Sequence, residues 1–318
     1  MPELFAPVEP YDVGILDVGD GHSVYWELSG DPDGIPAIVL HGGPGSGCSE
    51  NSRRYFDPAR FRILLFDQWG CGRSRPLADE PDADLEANTT QHLIADIERL
   101  RALHGVDQWS ILGLSWGTTL GLAYAQAHRE CVRSLVLVSA TTGSRKEIEW
   151  ITEGVGMIFP REWERFTTAV PPSLRSMRPV DAYAVLLFDP DPAVRETAAT
   201  EWCAWEDAHV SLAPGNQPNP RFEDPAFRLR FARLVTHYWS HDCFLGEDGV
   251  LLNAGTLNGI PGAMIHGRYD VSSPLQTIWE LSKRWTSSTL SVIDDAGHRG
   301  SDAFRDAFMD ALKAANSS

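Results

Sequence analysis

A chain of 318 residues, 43% of them hydrophobic and 22% charged, has the balance of a globular protein in water and length enough for one large domain or two smaller ones. A formal net charge of -17 with no basic run disfavours nucleic acid and anionic membrane surfaces as partners. No basic start leads into an apolar leader, no run reaches membrane-span length, and five scattered cysteines lack Cys-x-x-Cys spacing, so a cytoplasmic protein with reduced thiols is expected.

In chain order, apolar and β-branched runs predict strands at Val13–Val18, Val24–Leu28, Ala37–His41, Phe61–Phe66, Trp109–Leu114 and Ser134–Val138. Between the fourth and fifth, Leu93, Ile97, Leu100 and Leu103 recur at helical spacing, which predicts a helix from about Thr90 to His104. Asn88-Thr89-Thr90 reads as its N-terminus, with Thr89 or Thr90 as cap. Strand signals vanish between about Ala140 and Leu245, where tryptophans and prolines are dense. They return at Ala263–His266 and Thr289–Ile293, with helices near Pro274–Trp285 and Ala303–Ala314. Alternating strands and helices imply a mainly parallel sheet of eight strands flanked by helices, an α/β fold. We expect a core of residues 1–139 and 246–318 and a helical cap of residues 140–245 over the C-terminal edge of the sheet, where open α/β sheets bind ligands. A separate helical domain on a linker is the alternative.

Gly113-Leu114-Ser115-Trp116-Gly117 joins an apolar strand to a helix of small residues. A Gly-x-Ser-x-Gly turn in that setting is the nucleophile elbow of α/β-hydrolases, where a strained turn lifts the serine hydroxyl out of the sheet. Gly117 and Gly121 share a helix face that permits close packing on the sheet. A serine hydroxyl needs a base, and the base needs an orienting acid, in the order Ser, Asp or Glu, His. Asp270 and His298 each follow a late strand in that order; Asp294 and Asp295 are rival acids in the loop of His298. The oxyanion donors expected are the N–H of Trp116 and that of Gly43, in His41-Gly42-Gly43-Pro44-Gly45 after the third strand. The same glycine-rich stretch lacks the Gly-Lys-Ser/Thr of a phosphate loop. No cofactor and no metal site is expected, since no ligand cluster is visible.

The chain resembles the proline iminopeptidases over nearly its whole length. The resemblance rests on HGGPG at His41–Gly45, DQWGCGRS at Asp67–Ser74, NTT at Asn88–Thr90 and DIERLR at Asp96–Arg101. SWGTTL at Ser115–Leu120, LAYAQAH at Leu122–His128, FPREWERF at Phe159–Phe166, WCAWE at Trp202–Glu206, GRYD at Gly267–Asp270 and AGH at Ala296–His298 extend it. It implies release of an N-terminal proline from a small peptide, with Glu206 binding the free amine and neighbouring aromatics, Trp205 and Trp239, lining a prolyl pocket or filling the cap core. Three positions depart from the family pattern. Val235 stands where a second amine-binding glutamate is usual, Trp69 replaces an arginine after Asp-Gln, and Leu114 replaces a glycine before the serine. The Val235 departure keeps a non-prolyl amide, an ester or a lactone open as the substrate. A non-catalytic scaffold is disfavoured by the intact order of the three polar residues.

Overall fold

In the computed structural model, which describes residues 4–298 and 300–315, eight strands pair into one sheet. These are β1 (Asp12–Gly19), β2 (His22–Gly30), β3 (Ile35–Leu40), β4 (Phe61–Phe66), β5 (Trp109–Leu114), β6 (Val132–Val138), β7 (Gly262–Gly267) and β8 (Ser288–Ile293). Their spatial order is β1-β2-β4-β3-β5-β6-β7-β8. β2 runs antiparallel to β1 and β4, and the remaining pairs are parallel. The expected eight-stranded, mainly parallel sheet is therefore present, with β4 and β5 at the expected bounds and the other strands within two residues of theirs.

The central strands are apolar on both faces because both faces are covered. Alternation along β3 shows it: Ile38 and Leu40 join one buried cluster, Ala37 and Val39 the other. The first cluster takes in α1 (Thr90–Leu103) and α2 (Trp116–Ala127) through Leu93, Ile97, Leu120 and Tyr124. After α8 (Leu275–Arg284), α9 (Asp302–Ala315) packs Phe304, Phe308, Met309 and Leu312 against Leu65, Leu112 and Val136 of the second cluster. Thr89 caps α1, its side chain accepting from the N–H of His92.

Between β6 and β7 the described residues form no strand. They form α3 (Arg145–Thr152), α4 (Pro160–Thr168), α5 (Pro179–Leu187), α6 (Pro192–His209) and α7 (Pro225–Ser240), joined by short 3₁₀ turns. The prolines that punctuate this stretch start helices: α4 to α7 each carry one in the first turn, where a missing N–H costs nothing. Asp191 and Asp224 cap α6 and α7, accepting from Ala193 N at 2.9 Å and Ala226 N at 3.0 Å. Phe166 stacks on Tyr183 with ring centroids 4.5 Å apart, and Trp202 and Trp205 close around that pair. The inserted helical region thus has an aromatic interior of its own. No helix among the described residues is long and apolar enough to cross a membrane.

Candidate active site

The chain leaves β5 and enters α2 through one residue, Ser115, held at φ 53° and ψ −123°. That left-handed value is strained for serine. Two hydrogen bonds fix it, Ser115 N donating to Val138 O at 2.9 Å and Thr118 N to Ser115 O at 2.7 Å. A Cβ on Gly117 would lie 2.0 Å from the carbonyl oxygen of Leu40, and one on Gly113 2.7 Å from that of Gly117. Only glycine at both positions lets α2 begin so close to β3. Gly121 is looser, with its nearest contact at 3.3 Å.

The loops after β7 and β8 bring Asp270 and His298 to this turn. His298 Nε2 lies 2.9 Å from Ser115 Oγ, and its Nδ1 2.8 Å from Asp270 Oδ2. The other carboxylate oxygen of Asp270 accepts from Ser273 N at 3.0 Å. Burial would raise the Asp270 carboxyl, but the His298 imidazole beside it, with His266 and the Ser273 amide, holds it below the usual range. Ser139 Oγ donates to His298 O at 2.8 Å and so anchors the histidine loop to the end of β6. The rival acids face outward. Asp294 pairs with Arg268, and Asp295 accepts from Ser301 Oγ at 2.8 Å.

Gly43, at φ 117°, lines the same cavity as Ser115, Trp116 and His298. Trp116 opens α2, so its N–H has no acceptor within the helix and sits at the positive end of the helix dipole. Gln68, which the sequence reading left without a role, ties the two segments together. Its Nε2 donates to His41 O at 3.0 Å, while its Oε1 accepts from the Trp116 indole at 2.9 Å.

Glu147, Ile148 and Ile151 of α3, with Glu206, Trp239 and Ser272, line the cavity as well. Glu206 also borders an adjoining hollow lined by Asp207, Asn219 and Arg221. His209 Nε2 lies 3.6 Å from Glu206 Oε2, yet burial pushes that imidazole down to about 3, so it is neutral and the contact is not an ion pair. Trp205 lies off the cavity wall: it is buried in the cap interior, stacked on Phe166, with Nε1 donating to Ile151 O at 3.1 Å. Val235 is buried in the apolar core and likewise off the wall. Trp69 points away from the cavity, donating its indole N–H to Asp96 and stacking on His22 at 3.8 Å. Leu114 lines a second hollow with Tyr55 and Phe308, which Ser115 and His298 also border. Glu147 is the wall carboxylate that sequence reasoning missed; three residues after Ser144 it carries only the signature of a helix start. Among the described residues, no group of three or more His, Cys, Asp or Glu side chains is placed to hold a metal ion.

The arrangement can activate a hydroxyl and stabilise an oxyanion, and the comparisons agree with that chemistry. Residues 36–301 match the family described as alpha/beta hydrolase fold. A probable proline iminopeptidase of Streptomyces coelicolor is 50% identical over 93% of this chain and 92% of its own length. The proline iminopeptidase of Xanthomonas citri is 43% identical over 98% of this chain and 97% of its own. The crystal structure of a Mycobacterium smegmatis proline iminopeptidase superposes with a TM-score of 0.63, covering 96% of this chain and 98% of that one; at 21% identity it speaks for the fold alone. Likeness to relatives at this identity, sustained nearly end to end, carries more than the fold: the chain belongs to the proline iminopeptidase family of α/β-hydrolases.

Proposed function

We propose that this protein releases N-terminal proline from small peptides as a serine hydrolase. The observation that carries the reading is the hydrogen-bonded line from Ser115 through His298 to Asp270, beside a cavity walled by carboxylates. In the reaction, His298 Nε2 takes the proton of Ser115 Oγ as that oxygen attacks the prolyl carbonyl carbon. The oxyanion is met by the N–H groups of Gly43 and Trp116. His298 then gives its proton to the leaving amine as the C–N bond breaks, leaving a prolyl ester on Ser115. Water, deprotonated by His298, attacks that ester and frees proline and the serine hydroxyl. Asp270 holds the imidazole tautomer and stabilises the imidazolium. Glu206 accepts from the substrate's amine, which explains a requirement for an unblocked N-terminus.

The helical cap, residues 140–245, covers the core of residues 1–139 and 246–318 in this reading and limits the length of peptide admitted. Five free thiols, at Cys48, Cys71, Cys131, Cys203 and Cys243, support a reducing compartment such as the cytoplasm.

The test compares a prolyl arylamide, its N-acetylated form and a short-chain aryl ester, with wild type and Ser115→Ala. Cleavage of the free-amine prolyl substrate alone among the amides is expected, with kcat reduced about 10⁶-fold in Ser115→Ala. Near-normal turnover by that variant would refute the nucleophile. Val235 favours a second reading, an ester, lactone or non-prolyl amide as substrate, because α7 supplies no carboxylate there. Ester cleavage without prolyl cleavage, with prolyl activity gained in Val235→Glu, would establish it.

A further inference from the structure

Glu147 has one oxygen too few accounted for. The side chain is 4% exposed. Its Oε2 accepts from Thr142 N at 2.8 Å and Thr142 Oγ1 at 2.6 Å, whereas Oε1 is buried with no hydrogen-bond partner in the protein. Burial pushes the Glu147 carboxyl up, and the Thr142, Ser144 and Gly143 groups pull it only partly back, so a cation at Oε1 would favour its charged form. A buried carboxylate oxygen left unpaired is costly, and on a residue that lines a cavity it offers an acceptor to a ligand's donor.

The wall around Glu147 says which ligand. It shares the cavity with Ser115 and Glu206, where Ile148, Ile151 and Trp239 give an apolar lining beside the neutral Thr119, Thr141 and Ser272; no described lysine or arginine lines it, and Arg221 lies in the adjoining hollow. Two carboxylates on an apolar wall suit a small cation with a hydrocarbon body. A protonated N-terminal proline is such a group, a five-membered ring whose secondary ammonium has two N–H donors. Two carboxylates match two donors.

We propose that Glu147 is a specificity-determining residue, which binds the protonated N-terminal amine of the substrate jointly with Glu206. The inference rests on the iminopeptidase reading and places the second acidic contact on α3 instead of α7. Glu147 also occupies the third helical position after Ser144, where a glutamate can serve the helix end alone. The experiment must separate the two roles.

Binding of L-prolinol, a cation that cannot be hydrolysed, is compared with binding of neutral cyclopentylmethanol by NMR titration. Wild type should prefer the cation by about tenfold or more, and Glu147→Gln, which keeps acceptors for Thr142, should lose about tenfold of that preference while its affinity for the alcohol stays put. An unchanged preference in Glu147→Gln, a weakening of both ligands alike, or no preference in wild type would overturn the proposal. If Glu147→Gln fails to fold, Glu206→Gln decides. A reduced but persisting cation preference supports a second carboxylate, and its complete loss overturns it. Failure of the iminopeptidase reading shows separately, as wild type that binds the cation yet does not cleave the prolyl arylamide.

Discussion

Gln68 connects the two backbone segments that we propose to meet the oxyanion. It does not itself line the cavity; it acts through His41 O and through the indole of Trp116, which does. Gln68→Leu should therefore lower kcat about tenfold on amide and ester alike and leave KM nearly unchanged, because preorganised donors matter most once charge develops. Steady-state kinetics on both substrates check it, and an effect on KM alone would refute it. Asp96 gives a prediction about stability. Burial raises its carboxyl to about 6, against the opposing pull of Arg99 and the Trp69 indole. The folded state then holds a proton between about pH 4 and 6 that the unfolded chain has released, so stability contributed here falls as pH rises through that window. Wild type should lose stability relative to Asp96→Asn between pH 4 and pH 6.5, as read from urea midpoints. At this scale Ser115, Asp270 and His298 were legible because each follows a strand in a fixed order, and the fold brings them within hydrogen-bond reach. Gln68 was not, since both its partners are remote in sequence. Glu147 was hidden by a helix-start pattern that explains it well enough locally.

Among the elements, α6 and α7 show what periodicity can and cannot decide. Aromatic density between β6 and β7 announced helices with a shared interior, and α4, α5 and α6 supply it through Phe166, Tyr183 and Trp202. Which aromatic faces the substrate depends on how helices cross, and a single sequence does not encode crossings visibly. Trp205 went inward; Trp239 reached the cavity. Val235 lies one turn before Trp239, so the α7 face that meets the cavity continues into the apolar core at that depth. Phe166 stands at the centre of the stack, only 1% exposed and in ring contact with Tyr183, Trp202 and Trp205. Phe166→Ala should cost about 3–5 kcal/mol through lost burial and the cavity left behind. Denaturant titration followed by tryptophan fluorescence measures it, and a loss under about 1 kcal/mol would mean that the stack relaxes around the gap.

Over the whole molecule, alternation of strand and helix gave the number of strands and their mainly parallel sense. It did not give the order, in which β3 lies between β4 and β5, because chain order leaves open on which side each strand joins. The same long-range packing ties the cap to the sheet. One buried cluster runs without a break from Leu40, Leu120 and Trp116 to Tyr238, Trp202 and Phe231. Arg233 of α7, itself buried, donates to Leu187 O at 2.9 Å within the inserted helices and to Ala78 O at 2.8 Å in the loop after β4. Trp150 Nε1 of α3 donates to Val271 O at 2.7 Å, on the loop that carries Asp270. A cap held by a shared core and by buried hydrogen bonds cannot peel off without exposing the sheet beneath it. Unfolding should therefore be one cooperative transition in calorimetry, with equal calorimetric and van't Hoff enthalpies. Phe166→Ala should shift that transition to lower temperature as a unit, although the lost contacts lie wholly within the cap. An earlier, separate transition of the inserted helices in the variant would show that the two regions are energetically independent.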